Sequence, residues 1–141
     1  MPEIFLVFFS ILILSTFSFG QANDRSSHQL SSLNGAYHSY TELEKKKKKL
    51  ALNYPSIVRL CILGQSLENR NIYALKISNH PGRPENEPRV AFLGCHHARE
   101  WMSVEVPLQL ANYLIKNYDK DERVIAIVDS SEIWIVPLVN P

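Results

Sequence analysis

Cysteine is scarce in this chain: Cys61 and Cys95 are the only two in 141 residues. That excludes a disulfide framework and permits a single bridge at most. Both lie in apolar, strand-like runs, where a buried thiol is the ordinary state. A dominant charge is also missing, since the formal net charge is +1; the basic footprint of a nucleic-acid partner is therefore absent. Nor is there an apolar run long enough to span a bilayer comfortably. The longest, Ile4 to Phe17, covers about fourteen residues and is broken by Ser10, Ser15 and Thr16, whereas a span takes about twenty.

A run of that length suits the core of a signal peptide, and Ser18-Phe19-Gly20 places small residues for a cut after Gly20. Residues 1–20 are accordingly expected to be a signal peptide, which makes the mature protein secreted or periplasmic with no stable membrane span. Met1-Pro2-Glu3 departs from the pattern, with an acid where a basic segment is usual. The competing reading of the run is an uncleaved anchor or a buried strand.

Export leaves about 121 residues, enough for one domain with a modest core. Residues 21–35 are polar, rich in Ser and Asn and without period, as in a linker or frayed terminus. The folded part is expected over residues 36–141. Ser39 with Glu42, or Thr41 with Glu44, forms a capping box that starts a helix running to about Leu52, before Pro55. Lys45 to Lys49 are five lysines in a row on that helix. They read as a solvated face, with one member near the buried edge reaching its ammonium outward.

Ile57–Leu63 and Asn71–Ile77 are β-rich runs joined by a loop of hairpin length, Gly64 to Arg70. Asn79 to Pro88 holds three prolines and is a surface loop, and Arg89–Gly94 is the next strand. From Val104 through Leu108, Ala111 and Ile115 an apolar stripe recurs at helical spacing. A short helix over Asp121–Val128 then leads to a strand over Ile133–Val139. Strand, strand, strand, helix, strand suits an α/β sheet faced by helices.

The strand before the long helix ends abruptly in Gly94-Cys95-His96-His97-Ala98-Arg99-Glu100-Trp101. On a helical turn, residues three apart have Cβ atoms about 5–6 Å apart on one face, so His97 and Glu100 can meet on one ion. An imidazole nitrogen and a carboxylate oxygen suit zinc, and a catalytic zinc takes about three protein ligands plus water. The pair alone is therefore not a site, and no histidine follows His97. Glu105 lies too far along to share the ion and is expected to be solvated, as is His80 in its loop.

His97-Ala98-Arg99-Glu100-Trp101 resembles the zinc signature of the metallocarboxypeptidases, in the branch that includes carboxypeptidases A and B. Gly64-Gln65-Ser66-Leu67-Glu68-Asn69-Arg70 is similar to that family's Gly-x-Ser-x-Glu-Gly-Arg loop, with Asn69 in place of the glycine. Asparagine is the next best residue at positive φ. Tyr37 to Tyr40 resembles the family's entry into its first helix, and Asn140-Pro141 the first half of an Asn-Pro-Asp-Gly turn. The resemblance covers Tyr37 to Pro141, about the first third of such a catalytic domain.

The resemblance implies the start of a mixed-sheet zinc carboxypeptidase fold with helices on both faces, about four of its eight strands being expected here. It implies one Zn2+ bound by His97, Glu100 and a later histidine, with Arg99 binding and polarising the substrate carbonyl. The substrates would be peptide or protein C-termini, and the product a free C-terminal amino acid. The general base would lie beyond Pro141, so no catalytic base is assigned within the chain, and the fragment alone is expected not to turn over. His96 matches no family ligand, and Trp101 is read as packing. The alternative is a non-catalytic secreted binding module, or a vestigial fragment of the same fold. A half-built sheet is further expected to leave an unpaired edge and one uncovered apolar face.

Overall fold

A computed structural model describes Ile4–Leu6 and residues 37–141. Apart from those three residues, the expected signal peptide lies outside the described residues, as does the expected 21–35 linker. The elements run β1 (Ile4–Leu6), α1 (Tyr40–Asn53), β2 (Val58–Gln65), β3 (Asn71–Ile77), β4 (Arg89–Leu93), α2 (Trp101–Asn117), α3 (Glu122–Asp129) and β5 (Glu132–Val136).

Ser39, not Thr41, caps α1. Its hydroxyl accepts the Glu42 amide at 3.4 Å, while the Glu42 carboxylate accepts the Ser39 amide at 2.8 Å, which closes the capping box. Pro55 disfavours helical geometry at Tyr54, and the helix ends there, at φ −130° and ψ 51°. Within the lysine row, Lys47 is the member at the buried edge, only 2% exposed. Its ammonium does not reach outward as expected: Nζ stands 4.9 Å from the centre of the Tyr73 ring, whose face attracts a cation. Burial pushes this lysine down to about 8, against the pull of Glu44.

β2 and β3 pair antiparallel through a turn in which Asn69 takes φ 59°, the positive φ that the hairpin loop demanded. The Ser66 amide donates to Arg70 O and the Asn69 amide to Ser66 O, both at 2.9 Å. β3 pairs antiparallel with β5, and β5 parallel with β4. A parallel pair needs a crossover, and α2 with α3 supplies it. The strand order is β1-β4-β5-β3-β2.

Among the described residues the sheet has five strands where about four were expected, because Ile4–Leu6 pairs parallel with Arg89–Ala91 along the outer edge of β4.

Register sorts the sheet into two faces. Leu60, Leu75, Ile135 and Phe92 form one rung across β2, β3, β5 and β4, and Val58, Ile77, Ile133 and Val90 form the next. Leu50 of α1, Ala111, Leu114 and Ile115 of α2, and Val124 and Val128 of α3 pack onto these rungs. All three helices therefore cover the same face among the described residues. The opposite face, with rung Arg59, Lys76, Trp134 and Ala91, carries no helix among the described residues; the Arg83–Glu85 loop closes over Lys76 and Glu132, and the face lines an open cleft of about 550 Å³. Helices on both faces are expected of the complete fold; here one face has them.

Lys76, Arg89 and Glu132 on that face are paired with one another. Lys76 Nζ lies 2.7 Å from Glu132 Oε1 and donates to Arg83 O at 2.8 Å, while Arg89 Nε donates to Glu132 Oε2 at 2.8 Å. Burial would raise the Glu132 carboxyl, but hydrogen bonds from Lys76, the Glu85 amide and Arg89 outweigh it and hold the group at about 2. Glu132 is therefore a structural anion of the sheet.

Candidate metal centre

The chain leaves β4 at Gly94 and enters α2 at Trp101, and the intervening seven residues form the site. Gly94 continues the sheet, its amide donating to Val136 O at 2.9 Å. Pro107 lies in the second turn of α2; having no N–H, it leaves Ser103 O without its helical donor. Gly94 fills the gap. A Cβ there would stand 2.0 Å from Ser103 O and 2.8 Å from Pro137 O, so only glycine lets strand and helix meet this closely. The free carbonyl faces the glycine Cα, a geometry suited to a weak C–H···O contact.

Cys95 follows with φ 50°. Its amide donates to Ser103 Oγ at 2.8 Å, and the same hydroxyl donates to Glu100 O at 2.5 Å. Ser103 thus ties the two ends of the loop together. From the far side, the Asn140 amide donates to Cys95 O and its side-chain amide to His96 O, both at 3.3 Å. Both cysteines are free: Cys61 lines the open cleft, while Cys95 is buried beside Leu43, Val104 and Leu108. Burial, then the Glu100 charge, pushes the Cys95 thiol up.

His97 and Glu100 lie in a turn before the helix, closed by the Glu100 amide donating to His97 O at 3.1 Å. Glu100 is the N-cap of α2, with φ −92° and ψ 52°, and its side chain makes no capping bond. The carboxylate instead turns back, and Oε1 lies 2.7 Å from His97 Nδ1. That hydrogen bond holds the Glu100 carboxyl below the usual carboxylate range. Arg99 is exposed on the same turn. Trp101 stacks edge-on against Tyr37, with centroids 5.7 Å apart. His96 is exposed.

Glu105, expected to be solvated, is engaged: both its oxygens lie 2.8 Å from His38 Nδ1, and Oε1 also accepts the His38 amide at 2.9 Å. Sequence reading missed this clasp, and also missed Ser103 and Asn140, because each acts on the loop from a distant or unremarkable position. Gly94, at the end of a strand pattern, carried the one visible signal, since such a glycine marks close backbone approach.

The donor atoms fit a zinc ion in part. Two ligands on one tetrahedral zinc stand roughly 3.3 Å apart, given bonds of about 2.0–2.1 Å. His97 Nδ1 and Glu100 Oε1, at 2.7 Å, converge on that separation and need only a small opening to admit the ion. Among the described residues, no group of three His, Cys, Asp or Glu side chains is placed to hold a metal.

Residues 43–141 match the protein family described as zinc carboxypeptidase. This chain belongs to that family. A zinc carboxypeptidase of Saccharothrix mutabilis subsp. capreolus is 37% identical over 74% of this chain and 24% of its own length. Carboxypeptidase D of Homo sapiens is 42% identical over 83% of this chain and 9% of its own length.

Among solved structures, the carboxypeptidase A of Helicoverpa armigera is similar with a TM-score of 0.66 and 27% identity, over 74% of this chain and 25% of that one. Thrombin activatable fibrinolysis inhibitor has the same TM-score at 25% identity, over 73% of this chain and 25% of that one. The zinc carboxypeptidase fold is thereby shown, and the chain spans a quarter or less of the length of each of these four proteins.

Proposed function

We propose that this chain contributes two of the three zinc ligands, His97 and Glu100, to a metallocarboxypeptidase that releases C-terminal amino acids from peptides and proteins. The observation that carries the reading is the convergence of His97 Nδ1 and Glu100 Oε1 at 2.7 Å on the loop that joins β4 to α2, in a chain of this family. Glu100 stays ionised, as a ligand must, because its hydrogen bond holds it below the ordinary carboxylate range. Arg99 presents an exposed guanidinium on the same turn, where it donates to the substrate carbonyl oxygen.

Zinc, when bound, supplies Lewis acidity and a more acidic water. The third ligand and the base that takes the water proton belong to parts of the relatives that this chain does not span. Glu132 is no substitute, since Lys76 and Arg89 occupy its oxygens. Secretion or export to a periplasm, with residues 1–20 as the signal, belongs to the same proposal. No helix among the described residues is long and apolar enough to cross a membrane.

The test is an assay of the protein purified from its own cells, beside the 141-residue chain alone. The native protein is expected to release C-terminal residues, to lose that activity on chelation and to regain it with zinc. The 141-residue chain is expected to bind zinc weakly through His97 and Glu100 and to turn nothing over. Native activity that survives chelation, or a zinc titration that leaves both ligand side chains unperturbed, would remove the reading.

A further inference from the structure

The turn between the two ligands is held by little. Its entry is pinned by Ser103 and Asn140 through Cys95 and His96, and its exit by Ser103 through Glu100 O. At its centre, Ala98 O accepts one hydrogen bond from outside the turn, from the indole N–H of Trp101 at 2.9 Å. The Trp101 ring is 37% exposed, so burial alone does not account for it. Its orientation is set from the far end of the fold, where Tyr37 meets it at 86° between ring planes. Tyr37 is in turn held by its neighbour His38, whose ring and amide both engage Glu105, one turn along α2 from Trp101.

We infer that Trp101 is a positioning residue for the metal pair: its indole N–H fixes the Ala98 carbonyl, and so the turn that brings His97 and Glu100 together, while Tyr37 and the His38–Glu105 clasp brace the ring. This deepens the zinc reading and rests on it. The physical ground is that a ligand turn exposed to water samples many conformers, and each restraint raises the fraction with both donors converged. Partners that orient ligands in this way typically change metal affinity by about 10- to 100-fold.

The experiment is a titration of the 141-residue chain with zinc alone, followed by NMR at the His97 ring, in wild type, Trp101→Phe and Tyr37→Leu. Trp101→Phe keeps an aromatic ring against Tyr37 and removes only the donor. It is expected to weaken zinc binding about 10-fold with the urea midpoint of unfolding unchanged, a split that a purely structural tryptophan does not produce. Tyr37→Leu, which keeps the donor and removes the brace, is expected to shift affinity in the same direction by less.

A second readout needs no metal: the nuclear Overhauser contact between the His97 ring and the Glu100 side chain should weaken in Trp101→Phe. If zinc perturbs neither ligand in wild type but this contact still falls in the variant, the metal reading fails and the positioning role stands. Equal zinc affinity in Trp101→Phe and wild type, or an unchanged contact, overturns the inference. Loss of affinity only in step with a lowered urea midpoint also overturns it, by reducing Trp101 to packing.

Discussion

Two carboxylates in this chain each meet a side-chain nitrogen at 2.7 Å, in opposite surroundings. Glu132 and Lys76 are 2% and 6% exposed, whereas Glu100 and His97 are 42% and 80% exposed. The buried carboxylate is saturated, with Lys76 and the Glu85 amide on one oxygen and Arg89 on the other. An ion taken out of water costs several kcal/mol unless its remaining lone pairs are satisfied, so everything near Glu132 is committed to it. The exposed carboxylate meets the His97 imidazole on one oxygen and only a long 3.4 Å bond from the His97 amide on the other, which leaves the capacity that the proposed ligand role requires. Equal distances therefore mark different work, and the environment distinguishes them.

The comparison can be broken most forcefully at its buried end. Glu132→Ala leaves Lys76 and Arg89 without their anion and is expected to cost about 3–5 kcal/mol, read as a lowered midpoint in urea. Replacing both partners together, as Lys76→Met with Glu132→Leu, should cost far less, because no lone charge remains.

Acid tests the same group. Glu132 is held at about 2 against an ordinary 4.5, so its contribution is fully present above about pH 5 and is lost as pH falls through 4.5 toward 2. At 1.36 kcal/mol per unit the loss amounts to about 3 kcal/mol. Urea midpoints measured from pH 7 to pH 2 should show it, and the Glu132→Ala chain should lack that portion.

Lys47 sharpens the comparison, being a buried cation with an aromatic face and no carboxylate bound to it. Its pKa of about 8 lies below the ordinary 10.5, so the folded state holds its proton less tightly than the unfolded state does. The resulting penalty is full below pH 8 and relieved as pH rises toward 10.5. Lys47→Met should raise stability at pH 7 by about 2 kcal/mol after loss of the ring contact, with the gain shrinking by pH 10.

The smallest effect belongs to the exposed pair. His97→Ala should move stability by less than about 0.5 kcal/mol while abolishing zinc binding, as read by titration with zinc beside a urea curve. A large stability loss there would erase the contrast.

Much of the fold was legible because local patterns agreed. The capping box at Ser39 and Glu42, the turn at Asn69, the stripe from Val104 to Ile115 and the strand ahead of the ligand loop all appear close to their expected places. The proximity of His97 and Glu100 was legible too, since residues three apart in a turn must be neighbours. Boundaries slipped by up to three residues: β5 ends at Val136, where a strand to Val139 was expected. Less legible was the fate of groups whose partners are remote. Glu105 looked solvated because nothing near it in sequence engages it, and the Lys47 ammonium was expected to reach water because Tyr73 lies on another element.

The sequence by itself determined which residues could be ligands, where helices and turns would start, and which family the chain resembles, because hydrogen bonds at three- and four-residue spacing and the φ preference of Asn69 act within a few residues. Tertiary structure alone decided what each charged side chain would meet. Lys76 finds Glu132 across 56 residues, His38 finds Glu105 across 67, and Asn140 reaches His96 across 44. Those pairings follow from strand register and from the packing of α2 on the sheet, where a shift of one residue turns every side chain to the other face.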